Sequence, residues 1–466
     1  MRCSPVPLLS VFIAFTAVST IAWSNTAGFQ YISPLPGSSL VSRETNIIIR
    51  PGGLMAQNSI NSPSPLAVNG SLSGRHEGKM ILSDDLRTLV FNPSTPFLSG
   101  ETVTVLLEVG IRHADGTPVS PLSFFFTITT TSRAVASDVS YPSGSLMSIN
   151  ALRLTGSSFS VLDSLPMDFP PINLVESDHP TTGGIFLDNI VFDTTIHTTN
   201  YLMVLDNTGR PLTYHRIGNP CLDFMQQPNG MFTYFNTHFG SFVETDTSYT
   251  QSRVYSAGNG SLTDPHELRL LPNGHALLIA LDRQIVRMDT IVPGGNPNAI
   301  VIGNTIQELD QSGNVVFQWR SWDHFRIIDA THEDLTAPAI DYVHMNALDI
   351  DTDGNLLLSS RHQSEITKID RQTGEIIWRL GGVNNQFTFV NDSLGFSYQH
   401  AIRRIANGLS RFLTMATFTP PRSHGQQSIR SMRQGGSQLL CGNTVTLRTS
   451  LVLPWDTSRD SMTETR

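Results

Sequence analysis

The chain has 466 residues, with 30 Lys+Arg against 39 Asp+Glu and a formal net charge of −9. That length suits two or three domains, and an acidic chain without a basic stripe excludes a general nucleic-acid binder. Charged residues make up only 15%, and just two of the basic residues are lysines, Lys79 and Lys368, which leaves little scope for Schiff-base chemistry.

In chain order, the first segment carries Arg2, an apolar run from Val6 to Trp23, and the triplet Ala22-Trp23-Ser24. Small residues at 22 and 24 fit a signal-peptidase site before Asn25, so residues 1–24 are expected to be a leader that is removed. The competing reading is a membrane anchor, but the run is short and broken by Ser and Thr. Either way the remainder is expected to be periplasmic or secreted, with no membrane span after cleavage. Cys3 leaves with the leader. Cys221 and Cys441 remain, too few for a disulfide framework and without zinc-ligand spacing.

Residues 28–131 form one compositional block. Strand-like runs over 45–50, 79–82, 88–91, 102–111 and 123–130 are punctuated by Pro, Gly, Ser and Asn, and Asp115-Gly116 is a hairpin-turn signal. This predicts a small β-sandwich of immunoglobulin type. "PLPGSSLVSRETNIIIRP" resembles the first strands of bacterial Ig-like domains, which act as spacers or adhesion units. Residues 132–175, rich in Ser, Pro and Asp, are expected to be a linker.

From about Gly183 a repeat begins. One phrase is an apolar run, Asn/Asp-Gly, and a second apolar run, as in "HELRLLPNGHALLIA" and "HMNALDIDTDGNLLLSS". The other is Leu/Ile-Asp-x-x-Gly followed by alternating apolar residues, as in "ELDQSGNVVFQWRS" and "KIDRQTGEIIWRL". Each phrase reads as a hairpin, and two hairpins make a four-stranded antiparallel unit. Repetition of that unit predicts a β-propeller over residues 176–408, with units near 183–217, 222–257, 266–321, 344–381 and a start at 400. The Asp residues of the second phrase, and "DIDTDG" at 349–354, read as turn formers, the latter lacking the rest of a calcium loop.

Three histidines fall at matching places in this repeat. His266 and His400 each precede the turn glycine by eight residues, and His344 precedes its glycine by ten. The equivalent position in the second unit is Leu222, so packing of the repeat does not require histidine. First strands of propeller blades line the channel, so the three should converge. Asn346, two residues after His344, is expected on the same side of its strand. Arg361 and His362 are expected on the following strand, facing opposite ways, with Arg361 toward the site as an anion holder and His362 either packing between blades or backing the residues that line the site. Asp264 and Glu267 flank His266 and could orient it or serve turn and surface roles.

"DYVHMNALDID", "LLLSSRHQSEITKIDRQTGEIIWRLGG" and "FSYQHAIRRIANG" resemble the bacterial arylsulfotransferases over roughly 183–408. The resemblance implies an exported six-bladed propeller that moves a sulfuryl group from an aryl sulfate donor to a phenolic acceptor without a nucleotide. It implies His400, in its Gln399-His400 context, as the nucleophile. It implies His266 and His344 as supporting histidines and Asn346 and Arg361 as ligands of the sulfuryl oxygens. The route is ping-pong through a sulfohistidine. No cofactor, metal or nucleic acid is implied, and a homodimer is left open.

Two other readings stay open beside it. Three converging histidines are also a donor set for zinc or copper, which would suggest a propeller lyase or hydrolase, although Arg361 would repel the ion. A non-catalytic binding propeller on an Ig-like stalk accommodates the histidines poorly. After Gly408 the texture breaks: residues 409–466 hold seven arginines, no lysine and no Asp-x-x-Gly phrase. This tail reads as frameshifted or divergent. It supplies about one unit's worth of chain, so the all-β propeller is expected to be incomplete at its C-terminus.

Overall fold

The computed structural model describes residues 26–60, 65–131, 165–177, 182–190, 199–389, 395–404, 410–416, 438–441 and 449–453. The expected leader, residues 132–164 of the expected linker and most of the tail lie outside the described residues. Among the described residues no helix is long and apolar enough to cross a membrane.

Eight strands make the N-terminal unit: β1 (Tyr31–Ser33), β2 (Ile47–Arg50), β3 (Leu66–Gly70), β4 (Gly74–His76), β5 (Gly78–Leu82), β6 (Leu89–Pro93), β7 (Thr102–Leu107) and β8 (Leu122–Thr127). They form two four-stranded sheets, β1-β2-β6-β5 and β4-β3-β7-β8. Alternation sets their faces. β7 buries Val103, Val105 and Leu107, and β8 buries Leu122, Phe124 and Phe126, while the residues between point outward. These side chains join Ile47, Ile49, Leu89, Phe91 and Phe97 in one core between the sheets. Asp115 Oδ1 accepts from the Thr117 amide at 2.9 Å and Gly116 sits at φ +86°, so the predicted turn is present.

The second region is a succession of antiparallel meanders. β10 (Ile185–Asp188), β11 (Asn200–Leu205) and β12 (Pro211–Ile217) form the first. β13 (Cys221–Gln226), β14 (Phe232–Asn236), β15 (Ser241–Thr245) and β16 (Gln251–Tyr255) form the second. The third has β17 (Leu262–Leu270), β18 (Ala276–Val286), β19 (Ala299–Leu309) and β20 (Val315–Arg320), with β21 (Ala339–Asp341) parallel to β19. The fourth has β22 (Met345–Ile350), β23 (Leu356–Ser360), β24 (Glu365–Ile369) and β25 (Ile376–Gly381). First strands of successive sheets pack side by side, β10 on β13, β13 on β17, β17 on β22 and β22 on β26 (Ser397–Arg404). Sequential four-stranded meanders touching through their first strands are the blades of a propeller.

Among the described residues the fifth sheet has three strands, β26, β27 (Ser410–Ala416) and β29 (Thr449–Leu453). β9 (Ile172–Glu176), which begins inside the expected linker, pairs antiparallel with β28 (Gln438–Cys441) and ties the start of the region to its end.

The turns follow the sequence signals. Asp206, Asp310 and Asp370 each accept backbone amides two to four residues on, as turn formers do. Asp351 and Asp353 of "DIDTDG" hold the Lys368 ammonium at 2.9 and 2.6 Å, so a side-chain cation already occupies that pair. Trp319 is buried, stacks on His324 and donates to the Gly374 carbonyl at 3.0 Å, linking the third and fourth sheets.

The sandwich is docked on the third and fourth sheets. Tyr31 donates its hydroxyl to the Gln318 carbonyl at 2.6 Å and stacks on Phe317, and Asn46 donates to the Val315 carbonyl at 2.9 Å. His275 is buried between Asp84 of the sandwich and Glu308 of β19, 2.7 Å from each.

Candidate functional site

The site is built on irregularities in the inner strands. β17 departs from regular pairing between Thr263 and Leu268, β22 between Met345 and Ala347, and β26 between His400 and Arg403. Such bulges bend a strand and re-aim its side chains. His266 and His400 lie at theirs, and His344 immediately precedes β22 at φ +50°. The second sheet has the same irregularity between Leu222 and Met225 without a histidine, so the bulge belongs to the repeat and the imidazoles are additional to it.

The three histidines converge. Ring centroids lie 5.0 Å apart for His266 and His344, 6.1 Å for His344 and His400, and 6.4 Å for His266 and His400. One ring nitrogen of each lies within 4.8 Å of the others.

In each ring Nδ1 is occupied. His266 Nδ1 is 2.6 Å from Asp264 Oδ1, which also accepts the His266 amide, and His344 Nδ1 is 2.7 Å from Asp341 Oδ2. His400 Nδ1 faces the Tyr398 carbonyl at 3.2 Å. A carbonyl accepts only, so His400 carries its proton on Nδ1 and keeps a lone pair on Nε2.

The charges then separate the roles. Burial drives the His400 imidazolium down to about 4, helped by the positive charge of His344, His266 and Arg361 and opposed by the Tyr398 carbonyl. Burial also disfavours a charged His266, but Asp264, with Asp341 and Glu267 behind it, outweighs burial and holds it above its ordinary value. Asp341 is held below the usual carboxylate range: its burial is outweighed by His344 and His362. The cluster therefore combines an unprotonated imidazole with a neighbouring histidine biased toward the imidazolium.

Arg361 and His362 depart from the expectation of opposite faces on one strand. β23 stops at Ser360, and the chain turns through Arg361–Ser364. The Ser364 amide returns to the Arg361 carbonyl at 3.0 Å, with Ser364 itself at φ +50°. Turn residues are not bound to alternate, and here both side chains come to one place. Arg361 Nη1 donates to His362 Nε2, and His362 Nδ1 donates to the Asp341 carbonyl. The His362 ring lies 4.7 Å from that of His344. Of its two expected places His362 takes the second, backing the residues that line the site. The Arg361 guanidinium also lies over the Tyr398 ring, 4.3 Å from its centroid.

Asn346 is buried on β22 and donates Nδ2 to the Gln399 carbonyl at 2.7 Å, which ties the strand carrying His400 to the one following His344. Gln399 is fully buried and donates to the carbonyls of Ser360 and Glu365 at 3.1 and 2.8 Å, anchoring the residue before His400. Glu267 faces away from this chemistry: it pairs with Arg269 at 3.0 Å on its own strand and with Arg403 of β26 at 2.8 Å, and accepts the Leu348 amide of β22 at 3.3 Å, joining three inner strands. Sequence reasoning missed Asp341, Glu333 and Tyr398. Asp341 had a local signal, a carboxylate three residues before a histidine; Glu333 lies in a loop with no pattern at all.

A protein of unknown function from Bacteroides caccae is 14% identical, covering 46% of this chain and 61% of its own, with a TM-score of 0.28. The chain thus spans about three fifths of that relative's length. The virginiamycin B lyase from Staphylococcus aureus is 11% identical over 85% of each chain, with a TM-score of 0.28. CopC from Methylosinus trichosporium is 15% identical, covering 22% of this chain and 91% of its own, with a TM-score of 0.18. No curated protein matches the sequence. The sequence profile described as Arylsulfotransferase (ASST) matches residues 172–416, a stretch that holds all three histidines together with Asn346 and Arg361. That match takes in more than half of the chain, and the protein belongs to the arylsulfotransferase family.

Proposed function

We propose that the protein is an aryl-sulfate sulfotransferase that works by two successive displacements at sulfur. His400 Nε2 attacks the sulfur of an aryl sulfate, the N–S bond forms and the S–O bond to the aryl group breaks. The departing phenolate, whose phenol has a pKa of about 10, takes a proton from His266 or His344. An acceptor phenol then attacks the same sulfur, gives its proton back to that histidine, and the N–S bond breaks. Arg361 holds sulfuryl oxygens through its planar fork of donors.

The observation that carries this reading is the state of His400: an imidazole with its proton on the Tyr398 side, kept unprotonated by its surroundings, facing two histidines each backed by a carboxylate. A nucleophile, a proton donor and an anion holder are the groups sulfuryl transfer needs, and none of them depends on a nucleotide. Initial rates of nitrophenol release from 4-nitrophenyl sulfate, with phenol varied at several donor concentrations, test it. Parallel double-reciprocal lines are expected; lines that intersect would contradict two successive displacements.

The close approach of three ring nitrogens favours one second reading, a divalent-metal hydrolase or lyase. A chelator separates the two. Sulfuryl transfer through His400 persists in EDTA, and a metal-dependent reaction does not.

A further inference from the structure

We infer that Tyr398 and His362 are positioning residues that together fix the Arg361 guanidinium as the anion-holding group of the site. The inference rests on the sulfuryl-transfer reading for its chemistry, but its geometry is independent of that reading.

Arg361 lies in a turn, where a long side chain has many rotamers, and among the described residues no carboxylate pairs with it. An arginine in that setting would ordinarily spread over several directions, at a cost to any anion that must order it. Two contacts prevent this. The Tyr398 ring supplies a flat face 4.3 Å below the guanidinium carbon. That geometry is a cation–π contact and permits motion only in the plane. His362 removes that remaining freedom, because its Nε2 accepts from Arg361 Nη1.

His362 can accept only while neutral, and its surroundings fix both its tautomer and its charge. Nδ1 is committed as a donor to the Asp341 carbonyl, which leaves the lone pair on Nε2 toward Arg361. His362 Nε2 also lies 3.7 Å from Glu333 Oε1 and its Nδ1 3.8 Å from Asp341 Oδ1, but burial, with the charge of His344, outweighs these carboxylates and disfavours the imidazolium. An ordinary arginine partner would be a carboxylate, which would neutralise the guanidinium and blunt it toward an incoming anion. A neutral imidazole holds the geometry without pairing the guanidinium directly to an anion, which leaves its charge available to the ligand.

Tyr398 is itself held. Its hydroxyl donates to Glu333 Oε1 at 2.8 Å, and its backbone lies at φ +50°, in the left-handed region an aromatic residue rarely occupies. This unusual conformation serves two directions at once. The ring lies under Arg361, while the carbonyl faces His400 Nδ1. One residue thus connects the group that holds the anion to the group that attacks it. Strained non-glycine conformations concentrate where the surrounding contacts over-determine them.

The test is a double-mutant cycle read by calorimetric titration of the full chain with inorganic sulfate, with 4-nitrophenyl sulfate turnover as a second readout. Tyr398→Leu and His362→Leu are each expected to weaken sulfate binding roughly tenfold, the scale of a lost cation–π contact or charge-assisted hydrogen bond. In an Arg361→Ala background neither substitution should weaken it further, because both act through Arg361. His362→Gln, which can still present an acceptor to Arg361, should restore most of the affinity, and Tyr398→Phe, which keeps the ring, should stay within about threefold of the parent. Additive losses in the Arg361→Ala background, equal losses for His362→Gln and His362→Leu, or a parent protein that does not bind sulfate would each overturn the inference. A parent that shows the coupling but does not turn over 4-nitrophenyl sulfate would support it and instead remove the sulfuryl-transfer reading.

Discussion

The Nδ1 atom of His400 lies 3.2 Å from the carbonyl oxygen of Tyr398, two residues back on the same strand. A backbone acceptor in that position does what a carboxylate does for His266 and His344, fixing the tautomer, but without a negative charge. The difference matters for a nucleophile. A carboxylate would favour the imidazolium, which cannot attack; a carbonyl orients the ring and lets burial keep it unprotonated.

Activity against pH follows from these environments. The His400 imidazolium forms only near pH 4, so the acid limb of the kcat/KM profile should fall near 4 and not near the ordinary 6.5. His266 is held above 6.5, so donor activation should be lost on an alkaline limb above that value. Initial rates with 4-nitrophenyl sulfate between pH 3.5 and 9.5 check both limbs, and an acid limb at 6.5 would contradict the assignment of His400.

Asp264→Asn removes the charge that holds His266 above its ordinary value. The alkaline limb should then move to lower pH and kcat should fall roughly 10²-fold or more, as expected when a general acid loses its orienting carboxylate. Asp341→Asn should lower kcat similarly through His344. The same pH series on each variant separates a shifted limb from a uniform loss.

Asn346 reaches His400 through the backbone, since its amide donates to the Gln399 carbonyl. Asn346→Asp sets a carboxylate against that carbonyl and should be more damaging than Asn346→Ala, which leaves only a missing bond. The deficits should be about 1–3 kcal/mol of transition-state stabilisation for Ala and larger for Asp. Single-turnover rates of nitrophenol release rank the two.

The docking of the sandwich carries its own pH dependence. Burial disfavours a charged His275, but Glu308 and Asp84 outweigh it and raise its value above 6.5. Glu308, whose burial is outweighed by His275 and Arg371, is held down to about 2. The His275 contribution is complete below 6.5 and disappears as pH rises through the raised value. The Glu308 contribution is complete above its ordinary 4.5 and disappears as pH falls toward 2. The melting temperature should therefore be highest between these limits. His275→Gln should cost about 1–3 kcal/mol at pH 6 and much less at pH 9. Thermal melts of parent and variant at the two pH values check this.

Much of this arrangement was legible in the sequence. The hairpin phrases gave the sheets because Asn/Asp-Gly turns and alternating apolar residues act locally, and the matching histidine positions implied convergence once the repeat was read. Arg361 and His362 were misplaced for a physical reason. The chain reverses at Ser360–Ser364 without Gly, Pro or Asn, and Ser364 supplies the positive φ that those residues usually mark. Tyr398 was hidden because its function depends on an unusual backbone conformation, which no side-chain pattern encodes. The pairing of β28 with β9 joins segments more than 250 residues apart, beyond the reach of local pattern.

The central claim is that His400 becomes covalently sulfurylated, and intact-protein mass reads this directly. The parent chain and His400→Ala would each be incubated with 4-nitrophenyl sulfate, with and without phenol. The account predicts a gain of one sulfuryl group on the parent alone, discharged when phenol is added. Nitrophenol release in the presence of phenol without an adduct on the parent, or an adduct that survives His400→Ala, would contradict it.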